Sequence, residues 1–190
     1  MLDIITHPIF LWILFGLIIS GLFMWALTYI IASYLVYTKT LSRDALLEKV
    51  FMAHYGYLPT LYKDKNGKPY LEKDYISISH SHEYVVVAIG DFPIGIDIQK
   101  IEYKEKVVSL FSEEVHDAKV FTRLWALKES YGKYLGIGLN KEVLKKDYSE
   151  YVLLEMFVCD GLLYYIKEIE DFVCAICTND DTIHYVCIGG

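Results

Sequence analysis

The sequence predicts an α+β fold in which one long helix packs on antiparallel strands, preceded by a transmembrane helix. Three observations lead to this fold class. Short runs of alternating or β-branched residues recur between turn signals, a pattern typical of antiparallel strands. One later segment, LWALKESYGKYLG at 124–136, carries apolar residues at helical spacing. The chain begins with a long uncharged stretch, and its 190 residues suffice for one or two small domains.

Residues 1–38 are predicted to form a transmembrane anchor. No Asp, Glu, Lys or Arg occurs from Ile4 to Thr38. This stretch is longer than the roughly 20 apolar residues that span a bilayer. A signal peptide fits less well because no basic region precedes the stretch, and a core helix this long would need a larger protein around it. Basic residues follow the segment, so the positive-inside rule places residues 39–190 in the cytoplasm: Lys39, Arg43 and Lys49.

Charge and cysteine usage narrow the functional classes. The formal net charge of −7 argues against general nucleic-acid binding. The CAIC run at 174–177 resembles half of a zinc site, but no second CxxC or HxxxH follows it. Buried, reduced cysteines are the favoured interpretation, which suits a cytosolic compartment.

The first elements after the anchor are a helix, a turn-rich segment and a pair of strands. Apolar spacing predicts a helix over 42–57 with Ser42 as its N-cap, and the NG pair within 58–74 indicates a loop or short hairpin. YISISHSHEYVVVAIG at 75–90 follows as strand, turn and strand. Alternation places Ser77 and Ser79 on one face of the first strand and His80 on the other, with Ile76 and Ile78.

The next strand and the long helix separate core positions from polar ones. In IGIDIQ at 94–99, the isoleucines share one face and Gly95, Asp97 and Gln99 share the opposite face. The helix presents the stripe Leu124, Leu127, Tyr131 and Leu135, and Glu129 and Lys133 point away from it. The C-terminal part is predicted to form β hairpins, one turning at Asp160-Gly161 and further strands lying around NDD at 179–181.

Two carboxylates on these elements predict an oxygen-only metal site. Asp97 and Glu129, with the amide oxygen of Gln99, would suit magnesium, which also takes phosphate oxygens as ligands. Lys128 and Lys133 flank Glu129 and could neutralise a pyrophosphate on that metal, and His80 could add a donor. The alternative is that Glu129 and Lys133 form a solvent-exposed helical ion pair and that Asp97 is a strand-end turn residue.

Four ordered motifs resemble the Sfp-type 4′-phosphopantetheinyl transferases. They are GKPYL (67–71), ISISHSHEYVVVAI (76–89), PIGIDIQ (93–99) and FTRLWALKESYGKYLGIGL (121–139). The resemblance covers about 42–177. It implies an enzyme of two similar halves with coenzyme A between them, here a remnant N-terminal half at 39–92 and a C-terminal half at 93–190. It also implies that the first strands of the N-terminal half are missing, with the hydrophobic segment in their place.

The resemblance also implies residue roles. Asp97 and Glu129 match the acidic magnesium positions, Gln99 stands where the family often has Glu, and Lys133 matches a lysine that contacts coenzyme A phosphates. In this family a serine hydroxyl is the group that reacts, and Glu129, or a metal-bound water that it orients, would accept its proton. The resemblance thus implies that Asp97, Glu129 and Lys133 form the catalytic group. Further positions match the coenzyme A site, the first more loosely: Arg43, Lys68, His80 and Lys128.

The implied reaction is magnesium-dependent transfer of phosphopantetheine from coenzyme A to a serine of an apo acyl or peptidyl carrier protein, as in holo-acyl-carrier-protein synthases. An acidic carrier would need a local basic patch, and the candidates for it are Lys100, Lys104, Lys106, Lys119 and Arg123. The alternative is that these residues are ordinary solubilising surface. Single-half relatives of the same superfamily assemble from several subunits, which raises self-association as an expectation. Two alternatives remain: a non-catalytic, membrane-tethered module that binds coenzyme A or a carrier protein, and an unrelated magnesium-dependent phosphohydrolase.

Overall fold

The computed structural model describes residues 35–38, 42–179 and 183–189. The predicted α+β class with antiparallel strands is confirmed. In chain order the elements are β1 (Leu35–Thr38), α1 (Arg43–Tyr55), β2 (Tyr62–Lys63), β3 (Pro69–Tyr70), β4 (Tyr75–Ser81), β5 (Tyr84–Gly90), β6 (Ile94–Lys100), α2 (Glu105–Val108), α3 (Ala118–Leu135), α4 (Lys141–Lys145), β7 (Met156–Cys159), β8 (Leu162–Ile169), β9 (Phe172–Thr178) and β10 (Ile183–Gly189).

The strands of the described residues form two four-stranded sheets and one short hairpin. The first sheet has the order β1-β10-β5-β4, the second has the order β6-β9-β8-β7, and β2 pairs with β3. The hairpin predicted at Asp160-Gly161 is confirmed as β7–β8. The sequence grouped β10 with the C-terminal half, next to β9, but β10 pairs antiparallel with β5 in the first sheet. The two strands around NDD therefore belong to different sheets.

Most of the predicted transmembrane anchor lies outside the described residues, which begin at Leu35. Its last four residues, Leu35–Thr38, form strand β1 rather than the end of a helix. Among the helices of the described ranges, none combines the length and the apolar character that a membrane crossing needs.

Helix α1 covers one face of the first sheet. Its predicted cap is confirmed, since the Ser42 hydroxyl accepts a hydrogen bond from the backbone N–H of Ala45 at 3.4 Å. Gly56 ends the helix in the left-handed conformation at φ 72°. The buried side of α1 and the facing strand residues form one apolar cluster: Leu46, Leu47, Val50, Phe51, Ile76, Val85, Val87 and Ile89.

Helix α3 covers the second sheet and forms the larger core. The Asp117 carboxylate accepts from the backbone N–H of Val120 at 2.8 Å and caps the start of the helix. Leu124 and Leu127 of the predicted stripe are buried, but Leu135, the last residue of the helix, is 41% exposed. The cluster also includes residues of α3 and the second sheet: Phe121, Ala126, Phe157, Tyr164, Ile166, Val173, Ala175 and Cys177.

Buried, unbridged cysteines are confirmed for the CAIC run. Cys174 and Cys177 are buried in β9, and neither they nor the partly exposed Cys159 forms a disulfide. Burial raises the pKa of the Cys174 and Cys177 thiols to about 12, so both remain protonated near neutral pH.

Three serine hydroxyls connect the two sheets. The backbone N–H groups of Ile96, Ile98 and Lys100 donate to hydroxyls of β4 at 3.0, 3.4 and 3.2 Å. The acceptors are Ser77, Ser79 and Ser81 in the same order. Because the other edge of β6 pairs with β9, these hydroxyls satisfy the donors on the edge that faces β4. The polar face predicted for β4 is thus the face that meets β6.

Candidate active site between strand β6 and helix α3

A glycine lets helix α3 approach strand β6 closely. A Cβ atom at Gly95 would lie 1.9 Å from the Ser130 carbonyl oxygen and 2.4 Å from the Tyr134 backbone nitrogen. Such distances are far below van der Waals contact, so the position accepts no side chain. Asp97 lies two residues further along the same face of the strand. The close approach therefore brings Asp97 next to the α3 residues around Ser130.

Asp97 is a buried carboxylate with three donors. Its side chain is 1% exposed. The Ser79 hydroxyl donates to Oδ1 at 2.6 Å, and the Lys133 ammonium donates to the same oxygen at 2.7 Å. The Gln99 amide nitrogen donates to Oδ2 at 2.9 Å. These donors offset the desolvation of a buried charge, which would otherwise be strongly unfavourable.

Glu129 lies close enough to Asp97 for their charges to interact. Burial and the negative charge of Asp97 raise the pKa of Glu129 to about 7, whereas the positive charges of Lys133 and Lys104 oppose the rise. Two carboxylates that repel each other in a partly buried site provide a place where a cation is favourable. The sequence prediction that Asp97 and Glu129 meet is in keeping with this geometry.

The donor set fits magnesium in its oxygen chemistry. Magnesium is commonly bound by one or two carboxylates together with waters and substrate phosphates. The third predicted ligand, Gln99, turns its amide nitrogen toward Asp97, so its oxygen would face a cation there only after the amide rotates. Within the described ranges, no group of three or more His, Cys, Asp and Glu side chains could hold a metal. The magnesium ligands that the sequence predicts on β6 and α3 are thus two carboxylates, Asp97 and Glu129.

Lys133 lies in the site but does not form the helical ion pair with Glu129 that the alternative predicted. Its ammonium forms its ion pair with Asp97 and not with Glu129, and its side chain is 26% exposed. A long, partly exposed side chain can change partners without rearranging the core. The predicted phosphate contact therefore requires that the ammonium leave Asp97.

Lys128 corrects the sequence prediction. Its side chain is 0% exposed, and its ammonium donates to Glu113 Oε1 at 2.8 Å and to the Lys146 carbonyl oxygen. The same ammonium lies over the rings of Phe111 and Tyr148, at 4.9 and 5.5 Å from their centres. Adjacent residues on a helix point about 100° apart, so Lys128 faces the core when Glu129 faces β6. Lys128 therefore does not line the candidate site.

Three other residues predicted to bind coenzyme A lie in separate places. The Lys68 ammonium donates to the Tyr134 carbonyl oxygen at 3.2 Å, so it lies at the last turn of α3, and burial lowers its pKa. His80 is exposed on β4 directly after Ser79. Arg43 begins α1 and forms an ion pair with Asp44 at 3.0 Å. Lys68 and His80 thus adjoin residues of the site, and Arg43 has its charged contact elsewhere.

The predicted basic patch loses one member. The Arg123 side chain is buried, and its guanidinium donates to Glu168 at 2.7 Å and to the Leu154 carbonyl oxygen at 2.7 Å. Lys119 forms an ion pair with the same Glu168 at 2.7 Å. Arg123 is therefore a structural residue of the second sheet and its adjoining segment, and is not free to meet a partner.

Two residues that hold the predicted site residues in place were not predicted as functional. Ser79 holds Asp97, and Glu113 pairs with Lys128. The alternation in ISISHS placed Ser79 on a polar face, which was a usable signal for a partner on the next strand. Glu113 comes from an irregular connection without periodicity, so no local pattern identified it.

Comparisons with known proteins cover the elements that form this candidate site. Residues 93–177, which span β6, α3 and most of β9, match the family described as the 4′-phosphopantetheinyl transferase superfamily. The chain is 32% identical over 134 residues to 4′-phosphopantetheinyl transferase gsp of Aneurinibacillus migulanus, covering 61% of this chain and 56% of that protein. It is also 32% identical over 120 residues to a 4′-phosphopantetheinyl transferase of Bacillus subtilis, covering 54% of each.

A mammalian relative matches as well. The chain is 30% identical over 117 residues to the L-aminoadipate-semialdehyde dehydrogenase-phosphopantetheinyl transferase of Rattus norvegicus, covering 46% of this chain and 38% of that protein. The chain therefore spans about half or less of the length of these relatives. Asp97, Glu129 and Lys133 all lie inside the segment that matches the family.

Proposed function

We propose that this chain, which belongs to the 4′-phosphopantetheinyl transferase superfamily through residues 93–177, transfers the phosphopantetheine arm of coenzyme A to a serine of an apo carrier protein. The observation that carries the proposal is the buried Asp97 of β6 beside Glu129 and Lys133 of α3. This group combines two carboxylates for a cation with an ammonium for phosphate. It lies within the segment that matches the family.

The proposed reaction is a displacement at phosphorus. The serine hydroxyl oxygen of the carrier attacks the phosphorus that bears the pantetheine arm. The bond from that phosphorus to the bridging oxygen breaks, and adenosine 3′,5′-bisphosphate leaves with the electron pair. A magnesium ion held by Asp97 and Glu129 would supply charge stabilisation at the pyrophosphate oxygens.

The chain's own residues supply charge and proton transfer. Lys133 moves its ammonium from Asp97 to a phosphate oxygen, where it offsets the charge that develops on the leaving group. Glu129, or a water that it orients, is assigned as the acceptor of the serine proton. Gln99 holds Asp97 Oδ2 through its amide until substrate binds.

The second candidate function is a tethered module that binds coenzyme A or a carrier protein without chemistry. It is favoured by Gln99, an amide at a position where a third carboxylate would strengthen cation binding. The partly buried Asp97, Glu129 and Lys133 group favours the transferase instead. Isolated charges in such a site are costly, and a binding module has no need for two mutually repelling carboxylates.

We also propose that the uncharged segment from Ile4 anchors the chain in a membrane with residues 39–190 on the cytoplasmic side. The proposal rests on the absence of charge from Ile4 to Thr38 and on the basic residues that follow. Retention in the membrane fraction after alkaline extraction, with the C-terminal part cleaved only by protease added to the cytoplasmic side, is the expected result. Release of the chain by alkaline extraction would contradict it.

The test of function uses the full chain purified in detergent. It is incubated with coenzyme A, magnesium and a panel of apo acyl and peptidyl carrier proteins, and the intact mass of each carrier is measured. A gain of one phosphopantetheine arm is expected with the wild type, together with its loss in Asp97→Asn. The matched control is Asp160→Asn, which changes an exposed carboxylate at the β7–β8 turn.

Three results separate the candidates. Transfer that is lost in Asp97→Asn and retained in Asp160→Asn supports the transferase. No transfer with coenzyme A still bound, measured by calorimetry, supports the binding module. Neither transfer nor binding refutes both.

A further inference from the structure

We propose that Ser79 is a positioning residue that orients Asp97 for cation binding, a role that rests on the proposed function and that its neighbours Ser77 and Ser81 do not share. The three serines have one contact in common, the acceptance of a backbone N–H from β6. Ser79 alone among these three has a hydrogen bond to a carboxylate, donating to Asp97 Oδ1 at 2.6 Å.

The direction of the Ser79 hydroxyl is set by the backbone. Ser79 is 6% exposed, and its oxygen accepts the N–H of Ile98, the residue that follows Asp97. With that side of the oxygen occupied, the hydroxyl proton points at Asp97 Oδ1. The donor and the carboxylate are thus fixed to the same pair of strands, and their relative positions do not depend on a long side chain.

The other two donors to Asp97 are on longer side chains. Lys133 is partly exposed on four methylene groups, and it must leave Asp97 to reach a phosphate. Gln99 must rotate its amide if its oxygen is to face a cation. When both change partners, Ser79 is the donor that stays on Oδ1. It therefore determines which lone pairs of Asp97 a cation meets.

A carboxylate has about four acceptor positions, two on each oxygen. Ser79 and Lys133 occupy Oδ1, and Gln99 occupies one position on Oδ2. The second position on Oδ2, and the positions that Lys133 and Gln99 give up, are left for a cation. Without Ser79 the carboxylate could rotate and take its oxygens out of this arrangement.

The test compares two buried serines that differ in this one contact. Ser79→Ala and Ser77→Ala each remove a hydroxyl that accepts a β6 N–H, and both sites are buried. Manganese binding to the full chain without coenzyme A is measured from the free-ion electron paramagnetic resonance signal. Because hydrogen-bond partners of metal ligands typically tune affinity by an order of magnitude or more, Ser79→Ala is expected to raise the dissociation constant about tenfold, and Ser77→Ala by less than about twofold.

A second measurement separates positioning from folding. The magnesium concentration that gives half-maximal transfer should rise about tenfold in Ser79→Ala, with the rate at saturating magnesium largely retained. Ser79→Thr, which keeps the hydroxyl, should restore the wild-type value. Urea unfolding of both alanine variants shows whether they lose similar stability through the shared contact.

The outcomes distinguish this inference from the proposed function. Equal manganese affinity in Ser79→Ala and Ser77→Ala overturns the positioning role even if the wild type transfers phosphopantetheine. No manganese binding by the wild type overturns it as well. If the wild type binds manganese, shows the Ser79 contrast and transfers nothing, the positioning role is supported and the transferase function fails.

Discussion

Removing one partner of the Lys128–Glu113 ion pair is expected to destabilise the fold without acting on the chemistry directly. In Glu113→Gln, the Lys128 ammonium stays fully buried and keeps the Lys146 carbonyl oxygen and the two aromatic rings. Breaking a buried pair in this way typically costs about 3–5 kcal/mol of unfolding free energy. Glu113 also accepts the Tyr148 backbone N–H at 3.0 Å, and the amide oxygen of the substituted side chain can retain that contact.

The magnitude follows from the burial of both groups. Burial lowers the pKa of Lys128, and the hydrogen bond and charge of Glu113 oppose that effect. Losing the Glu113 charge therefore favours the neutral amine. The cost of Glu113→Gln should accordingly shrink as the pH rises, because the deprotonated amine needs no counter-charge.

The assay is urea unfolding followed by circular dichroism, combined with calorimetric binding of coenzyme A. Glu113→Gln and Lys128→Met should each lower the midpoint strongly, and the double variant Lys128→Met/Glu113→Leu should recover much of the loss, because apolar replacements of buried pairs are often neutral. Coenzyme A affinity, measured where each variant is folded, should change little. The reasoning is refuted if Lys128→Met keeps wild-type stability and loses coenzyme A affinity, since the lysine would then act at the substrate.

Three further results are expected. Gly95→Ala should lower the unfolding free energy by about 3 kcal/mol or more, because the new Cβ would overlap the α3 backbone. Gly67→Ala, with open space around it, should lower it by about 1 kcal/mol, and equal losses would contradict the close packing of β6 and α3. The pKa of Glu129 is raised from 4.5 to about 7 in the folded chain, so between these pH values the folded state holds a proton that the unfolded state has lost. With metal chelated, the unfolding free energy of the wild type should therefore fall by about 2 kcal/mol, after screening, as the pH rises from 4.5 to 7. Glu129→Gln should remove that loss, and an unchanged slope would contradict it. Lys68→Met should lower stability by about 1 kcal/mol through the lost contact with the end of α3, while Lys65→Met should be neutral.

The parts of the site carried by periodic elements could be predicted from the sequence. Alternation in β6 put Gly95, Asp97 and Gln99 on one face, and the structure places that face against α3. Helical spacing put Glu129 and Lys133 on the side away from the apolar stripe. Both predictions rest on short-range geometry, which the residue order determines directly.

Predictions that required a distant partner failed or were missed. The sequence shows that Lys128 is charged, but its burial depends on an ion pair with Glu113. Glu113 lies 15 residues earlier in the chain, in an irregular connection. The sheet to which β10 belongs depends on pairing with β5, a contact between strands far apart in sequence. Such contacts are set by the whole fold, and neighbouring strands in sequence pair often but not always.

The pairing of β10 with β5 also bears on how the chain folds. Ile183 of β10 lies opposite Gly90 of β5, so the chain leaves the first sheet and returns to it at neighbouring points. Residues 94–178, which include the whole second sheet and α3, are thus inserted in sequence between two paired strands of the first sheet. During synthesis the edge of β5 that pairs with β10 stays unpaired until on the order of 100 further residues have left the ribosome. Long-range strand pairing of this kind is slow. Ribosome-bound chains that stop before residue 183 should therefore depend on chaperones more than completed ones.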